Sequence, residues 1–180
     1  MSGWVADDVT APVIYTLGHS RHGIDVFIAL AKQHGVETIV DVRGQPWSRY
    51  NPQFNQDAVA AAVEQAGLSY RWEGERLSGR PKDRRFYDAQ GKVDWDALRH
   101  WPALAEGLNE IRALAEASTL ALVCAEEDPL HCHRRGLLTG PPIDRGVAVL
   151  HIHKDGIIET EEEVAVRARG ADPRQIDLFG

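Results

Sequence analysis

A chain of 180 residues has the size of one compact domain. Its 20 Lys+Arg stand against 27 Asp+Glu, a net charge of −7 with His neutral, which argues against whole-surface nucleic-acid binding but leaves room for a local basic pocket. Hydrophobic residues make up 43%, so a core can form and global disorder is excluded.

Residues 1–12 read as a loose leader, without the basic-then-apolar order of a secretory signal. Residues 13–17 are a β-branched and aromatic run, hence a strand, ending at Gly18-His19-Ser20. Residues 24–34 carry Ile24, Phe27, Ile28 and Ala31 at helical spacing and stop at Gly35. Residues 38–42 form a second, almost wholly apolar strand, as suits burial on both sheet faces. Gly44, Pro46 and Pro52 make 43–55 a loop. A helix is predicted over 56–66, a strand over 68–72 and an irregular excursion over 73–92. Residues 94–117 are helical, with Pro102 either kinking the helix or starting a second one. Strands follow at 119–124 and 147–152, with a short helix beginning near Cys132. From 160 onward the chain is charged and lacks apolar periodicity, so the domain spans 13–159 and 160–180 reads as a tail.

Strands alternating with helices make βαβ units, and hence an α/β fold: three layers around a mainly parallel, doubly wound, Rossmann-like sheet. Such sheets bind ligands beyond the carboxyl ends of their strands. Gly18, His19, Ser20, Asp41, Arg43, Cys124, Glu126, Cys132, His133 and Arg134 all fall there or just after. His19, Asp41 and Glu126 are the candidates for acid/base or hydrolytic work, although Asp41 could equally pair with Arg43 or Arg49 to hold a loop. Cys132, beside His133 and Arg134, is either an activated thiolate or a buried small hydrophobe. A metal held by Cys124, Cys132, His133 and His131 is conceivable, although the spacing fits no standard ligand pattern. Arg43, Arg49, Arg80 and Arg134, interleaved with aromatic residues, are the candidate phosphate and substrate contacts, with Gly18 and Ser20 beside them. His151 and His153 share one strand face, and a structural role suits them better than a site role. No triad, P-loop or dinucleotide fingerprint names a cofactor.

Ile14 to Ser20, then Val40-Asp41-Val42-Arg43, Pro46, Ser48-Arg49 and Pro52 closely resemble the N-terminal pattern of the DUF488 family. Cys124-Ala125-Glu126, Pro129 and Cys132-His133-Arg134 resemble its second block, and Gly146, Val149 and His151-Ile152 its closing strand. Leu77-Ser78-Gly79-Arg80 resembles the mid-chain block, with Ser78 where a glycine is usual. The resemblance implies an α/β fold with a polar pocket and supplies no settled activity. After Arg134 the family runs a longer apolar helix, which Gly136 and Gly140-Pro141-Pro142 interrupt here. The Asp41-Val42-Arg43 stretch is also similar to rhodanese-like sulfur transferases. Their cysteine-loop-arginine cradle is missing, since the sixth residue after Cys124 is Leu130.

Near the end, Gln175-Ile176-Asp177-Leu178-Phe179 resembles the bacterial sliding-clamp-binding pentapeptide: Gln175 would be the polar anchor, and Leu178 and Phe179 the apolar pair entering a surface pocket. The expectation is therefore a cytoplasmic accessory factor of DNA metabolism or repair, brought to DNA by the clamp. Its pocket would bind a nucleotide or nucleic-acid strand or end, with hydrolysis of a phosphodiester or N-glycosidic bond as the enzyme class the residues could support. The alternatives are a nucleotide- or metal-sensing module and a thiol enzyme using Cys132. No membrane partner is expected, since no run approaches the ~18 apolar residues of a span. Two cysteines are too few for a disulfide scaffold, which fits a reducing compartment.

Overall fold

The computed structural model describes residues 11–139 and 146–170. Six strands form one sheet: β1 (Val13–Gly18), β2 (Thr38–Asp41), β3 (Ser69–Trp72), β4 (Leu120–Cys124), β5 (Ala148–Ile152) and β6 (Ile158–Thr160). Their order is β3-β2-β4-β1-β5-β6, with every pairing parallel except β5 with β6. The two strands with every residue buried, β2 (TIVD) and β4 (LALVC), lie adjacent near the middle of the sheet, as their unbroken apolar runs predict.

Alternate residues of each strand feed two cores. On one face, Leu17, Ile39, Ala121 and Val123 pack against α1 (Ile24–Gln33) and α2 (Gln56–Gln65) through Phe27, Leu30, Val59 and Val63. On the other, Ile14, Val40, Leu120, Leu122 and Val149 meet Leu77 of α3 (Gly74–Leu77), Leu98 of α4 (Trp95–Arg99) and Leu104, Leu108 and Ile111 of α5 (Pro102–Ala117). The result is the three-layer, Rossmann-like α/β architecture expected. Pro102 starts α5 rather than kinking a longer helix, because a proline at the first helical position gives up an N–H that has no intrahelical partner anyway.

The charged stretch after 160 corrects one expectation. Residues 161–170 are not tail: α6 (Glu161–Gly170) docks on the domain with Val164 fully buried. A reciprocal capping box starts it, in which Glu163 N donates to Thr160 Oγ1 at 3.2 Å and Thr160 N donates to Glu163 Oε2 at 2.7 Å. Glu161, Glu162 and Glu163 occupy the first turn and Arg167 and Arg169 the last, the order that the helix dipole favours. Arg167 clamps Asp128 and Glu159, at 2.8 and 2.9 Å. Residues 1–10 and 171–180, with most of the predicted leader and the Gln175, Leu178 and Phe179 motif, lie outside the described residues. Among the described residues no helix is long and apolar enough to cross a membrane.

Candidate functional site

The connection leaving β1 runs to α1 on one face and that leaving β4 runs to Leu137 and Leu138 on the other, so a crevice opens where these neighbours end. The ladder continues past the strands: His19 N and Ser20 N donate to the Cys124 and Ala125 carbonyls, both at 2.9 Å. Gly18 is there for that close approach, since a Cβ would overlap the Glu126 carbonyl oxygen. Ser20, with φ 44°, turns the chain away in the left-handed region.

His19, Asp41 and Arg43 come together as one buried unit. Asp41 accepts from Arg43 N (3.0 Å), Arg43 Nε (2.8 Å), Arg43 Nη2 (2.5 Å) and Tyr70 Oη (2.8 Å). Its four acceptor positions are filled, so Asp41 positions Arg43 and is not a free base. Burial and the Asp41 charge push the Tyr70 hydroxyl up, which keeps it a donor. His19 Nδ1 donates to the Ser20 carbonyl at 3.0 Å, which leaves Nε2 to accept from Arg43 Nη1 at 3.1 Å. Its ring stacks on Phe54, with centroids 4.3 Å apart. Burial and the charge of Arg43 hold the His19 pKa down at about 4, so the ring is neutral and both nitrogens are engaged. His19 and Asp41 thus hold Arg43, the pairing that the sequence offered as the alternative role of Asp41.

A second unit gathers Cys124, Glu126, Cys132, His133 and Arg134. The Cys124 thiol donates to Glu126 Oε2 at 2.8 Å, and Cys132 Sγ lies 3.6 Å from the same oxygen. His133 Nδ1 is 3.6 Å from Cys124 Sγ and 3.9 Å from Cys132 Sγ. The four donor atoms lie within 4.8 Å of one another, so these residues could hold a metal. The expected fourth partner, His131, is replaced by Glu126. The single helical turn Pro129–His131 turns His131 outward to Asp128, 3.7 Å away, with its side chain 45% exposed. Arg134 is 1% exposed and committed: Nε donates to Cys132 Sγ at 3.1 Å and Nη2 to the Glu126 carbonyl at 2.5 Å. It braces the cluster and is not a free phosphate contact. Burial opposes ionisation of Cys132, but its hydrogen bond with Cys124 and the Arg134 charge outweigh burial and bring its pKa down. The same Cys124–Cys132 hydrogen bond, reinforced by burial, pushes Cys124 up.

Both units border one cleft of about 590 Å³. Arg43, Cys124, Glu126 and His133 form one part of its wall and Ser78, Gly79, Arg80, Lys82, Arg84 and Tyr87 the other. Gly79 lets the 78–80 loop lie against His133, whose Cβ a methyl group there would overlap. Among the described residues no ion pair engages Arg80, Lys82 or Arg84, and Glu126 is the single carboxylate in the lining. Arg49 does not reach the cleft. It is exposed, with its guanidinium over the Tyr50 ring at 4.6 Å.

Sequence reasoning missed Lys82 and Tyr70, and it grouped Phe54 with the aromatic residues interleaved with the arginines, whereas Phe54 is buried and stacks on His19. Lys82 carried a usable signal, since it sits within the run of basic residues at 80–85. Tyr70 carried none, being joined to Asp41 only by the fold. His151 bridges Thr16 Oγ1 (2.7 Å) and Glu161 (3.0 Å), and His153 bonds Glu159 (2.7 Å), the structural roles expected.

The family model described as "Domain of unknown function DUF488" matches residues 23–139, which include β2, β4, both units except His19 and the whole cleft lining. Neither the comparison with curated proteins nor that with solved structures returns a match. With well over half of its length under that match, the chain belongs to the DUF488 family.

Proposed function

We propose that the cleft binds a phosphate-bearing ligand, a nucleotide or the end of a nucleic-acid strand. The observation that carries this reading is the charge of the lining. Arg80, Lys82 and Arg84 line the cleft without a carboxylate partner among the described residues, and a single acid, Glu126, shares the lining with them. Several arginines outside the cleft are paired with acids: Arg71 and Arg76 with Glu73 and Glu110, Arg135 with Glu161 and Arg167 with Asp128 and Glu159. Guanidinium groups suit phosphate because their forked donors match its oxygens. Tyr87, with the Arg84 guanidinium 5.2 Å from its ring centroid, offers an aromatic face for a base. Arg43, paired with Asp41 and held by His19, forms a rigid part of the wall. Binding, rather than proton transfer by His19 or Asp41, is the role this geometry supports.

The Gln175, Leu178 and Phe179 motif makes a bacterial sliding clamp the proposed partner, which would bring the cleft to DNA without a basic body. The test of the cleft is fluorescence anisotropy with a short single strand carrying or lacking a 5′-phosphate. Removal of the phosphate, or Arg80→Ala or Arg84→Ala, is expected to weaken binding about tenfold each, as for loss of one charge-assisted contact. Equal affinity for both strands overturns the reading. The clamp partner is tested with a peptide of residues 172–180, whose binding Leu178→Ala or Phe179→Ala should abolish.

A further inference from the structure

We propose that Cys124, Glu126, Cys132 and His133 form a four-coordinate Zn²⁺ site in the cleft wall. Bond lengths of about 2.3 Å to sulfur and about 2.0 Å to nitrogen or oxygen place sulfur about 3.5 Å from an N or O donor around a tetrahedral zinc ion. Three of the four measured separations are already 3.6, 3.6 and 3.9 Å. The fourth, Cys124 Sγ to Glu126 Oε2 at 2.8 Å, is a thiol hydrogen bond that a metal would replace. Two sulfurs, an imidazole and a carboxylate form a set that suits zinc and not the hard cations, which take oxygen.

The surroundings fit the same reading independently of the donor spacing. Arg134 N and Nε point at Cys132 Sγ from 3.4 and 3.1 Å, the outer-shell N–H donors that orient a ligating thiolate. Two thiolates and a carboxylate around a divalent ion leave one negative charge, and the buried Arg134 guanidinium cancels it. The donors are anchored on separate supports. Cys124 closes β4, whereas Cys132 and His133 stand between the turn Pro129–His131 and the wide helical turn Arg134–Leu138. Both cysteines are free and buried, while the exposed Glu126 and half-buried His133 line the cleft and give the ion a path in. Metal content does not depend on what the cleft binds, so this proposal and the phosphate reading fail separately.

The test uses the full chain purified under reducing conditions. Elemental analysis should find one zinc per chain. After chelation, Co²⁺ should restore one equivalent, with visible bands of four-coordinate cobalt and a near-ultraviolet sulfur-to-cobalt band. Glu126 is exposed, so Glu126→Gln should fold normally. It should weaken Co²⁺ binding by more than the roughly tenfold that loss of an outer-shell partner brings, while keeping the sulfur band. Cys132→Ser should halve that band, with circular dichroism confirming the fold. The proposal is overturned if reduced, folded protein neither retains zinc nor gives the sulfur band, or if both variants bind cobalt as the parent does.

Discussion

Replacing Asp41 by Asn tests whether the Asp41–Arg43 pair organises the site. Asn is nearly isosteric, so it leaves no cavity. Its oxygen can still accept from Arg43 N and Nε, but its amide nitrogen then faces Arg43 Nη2, donor against donor, where a carboxylate oxygen accepted at 2.5 Å. The guanidinium, with its side chain 9% exposed, is left charged and uncompensated. Breaking a buried pair from one side costs about 3–5 kcal/mol, a large part of the roughly 5–15 kcal/mol that stabilises a typical domain. At about 2–4 °C per kcal/mol for a chain of this size, Tm should fall by roughly 6–20 °C. Urea denaturation gives the free energy and differential scanning calorimetry the Tm. A double variant with Arg43→Met removes the orphaned charge and should recover most of the loss. A single-variant cost below about 1 kcal/mol, or a double variant that is merely additive, would refute the reasoning.

His19 makes stability acid-sensitive. Its pKa lies at about 4 in the fold against 6.5 unperturbed, so the unfolded chain takes up a proton that the folded one refuses. Its contribution is complete above pH 6.5 and declines by about 3 kcal/mol as pH falls towards 4, a slope absent from His19→Gln in urea titrations across that range. Gly18→Ala should cost about 3 kcal/mol in urea denaturation, because a methyl group meets backbone and not a movable side chain. Val164→Ala should cost about 2 kcal/mol and speed amide exchange in 161–170 before the rest of the domain, whereas exchange unchanged there would mean that α6 is not held by Val164.

What the sequence disclosed follows from how local each signal is. The apolar runs of β2 and β4 need no partner to be recognised as buried strands, and the fold class follows from their alternation with helices. Helix α6 was legible too, through Thr160 and Glu163 at capping-box spacing, but Val164 is its single buried side chain and gives no periodicity to detect. The edge strand β6 is three residues long and pairs antiparallel, against the pattern of the rest. At the site, the chemistry at strand ends was readable and most of the long-range partnerships were not. The Asp41–Arg43 pair was one of the alternatives the sequence offered, but spacing cannot tell that Tyr70, 29 residues away, completes it. Nor can it tell that one tight turn sends His131 outward while Glu126 supplies the fourth donor.

The net charge of −7 and a basic cleft are compatible because nearly all the acid lies outside the cleft, whose lining holds one carboxylate among three cationic side chains without ion pairs among the described residues. Fields between exposed charges fade over about 8 Å at physiological salt, so a ligand entering the cleft responds to its lining more than to the body. Within that lining Glu126 is the one opposing charge, and it is also a proposed zinc ligand. If zinc engages Glu126, the carboxylate oxygen is drawn onto the ion and away from an incoming phosphate, while Arg80, Lys82 and Arg84 are untouched. Metal loading should therefore tighten binding of a 5′-phosphorylated strand, and Glu126→Gln should reproduce much of that gain without metal. Anisotropy titrations of the zinc-loaded protein, the chelated protein and the variant decide this. Equal affinities in all three would mean that the metal cluster and the cationic wall are electrostatically independent, and that Glu126 does not oppose the ligand.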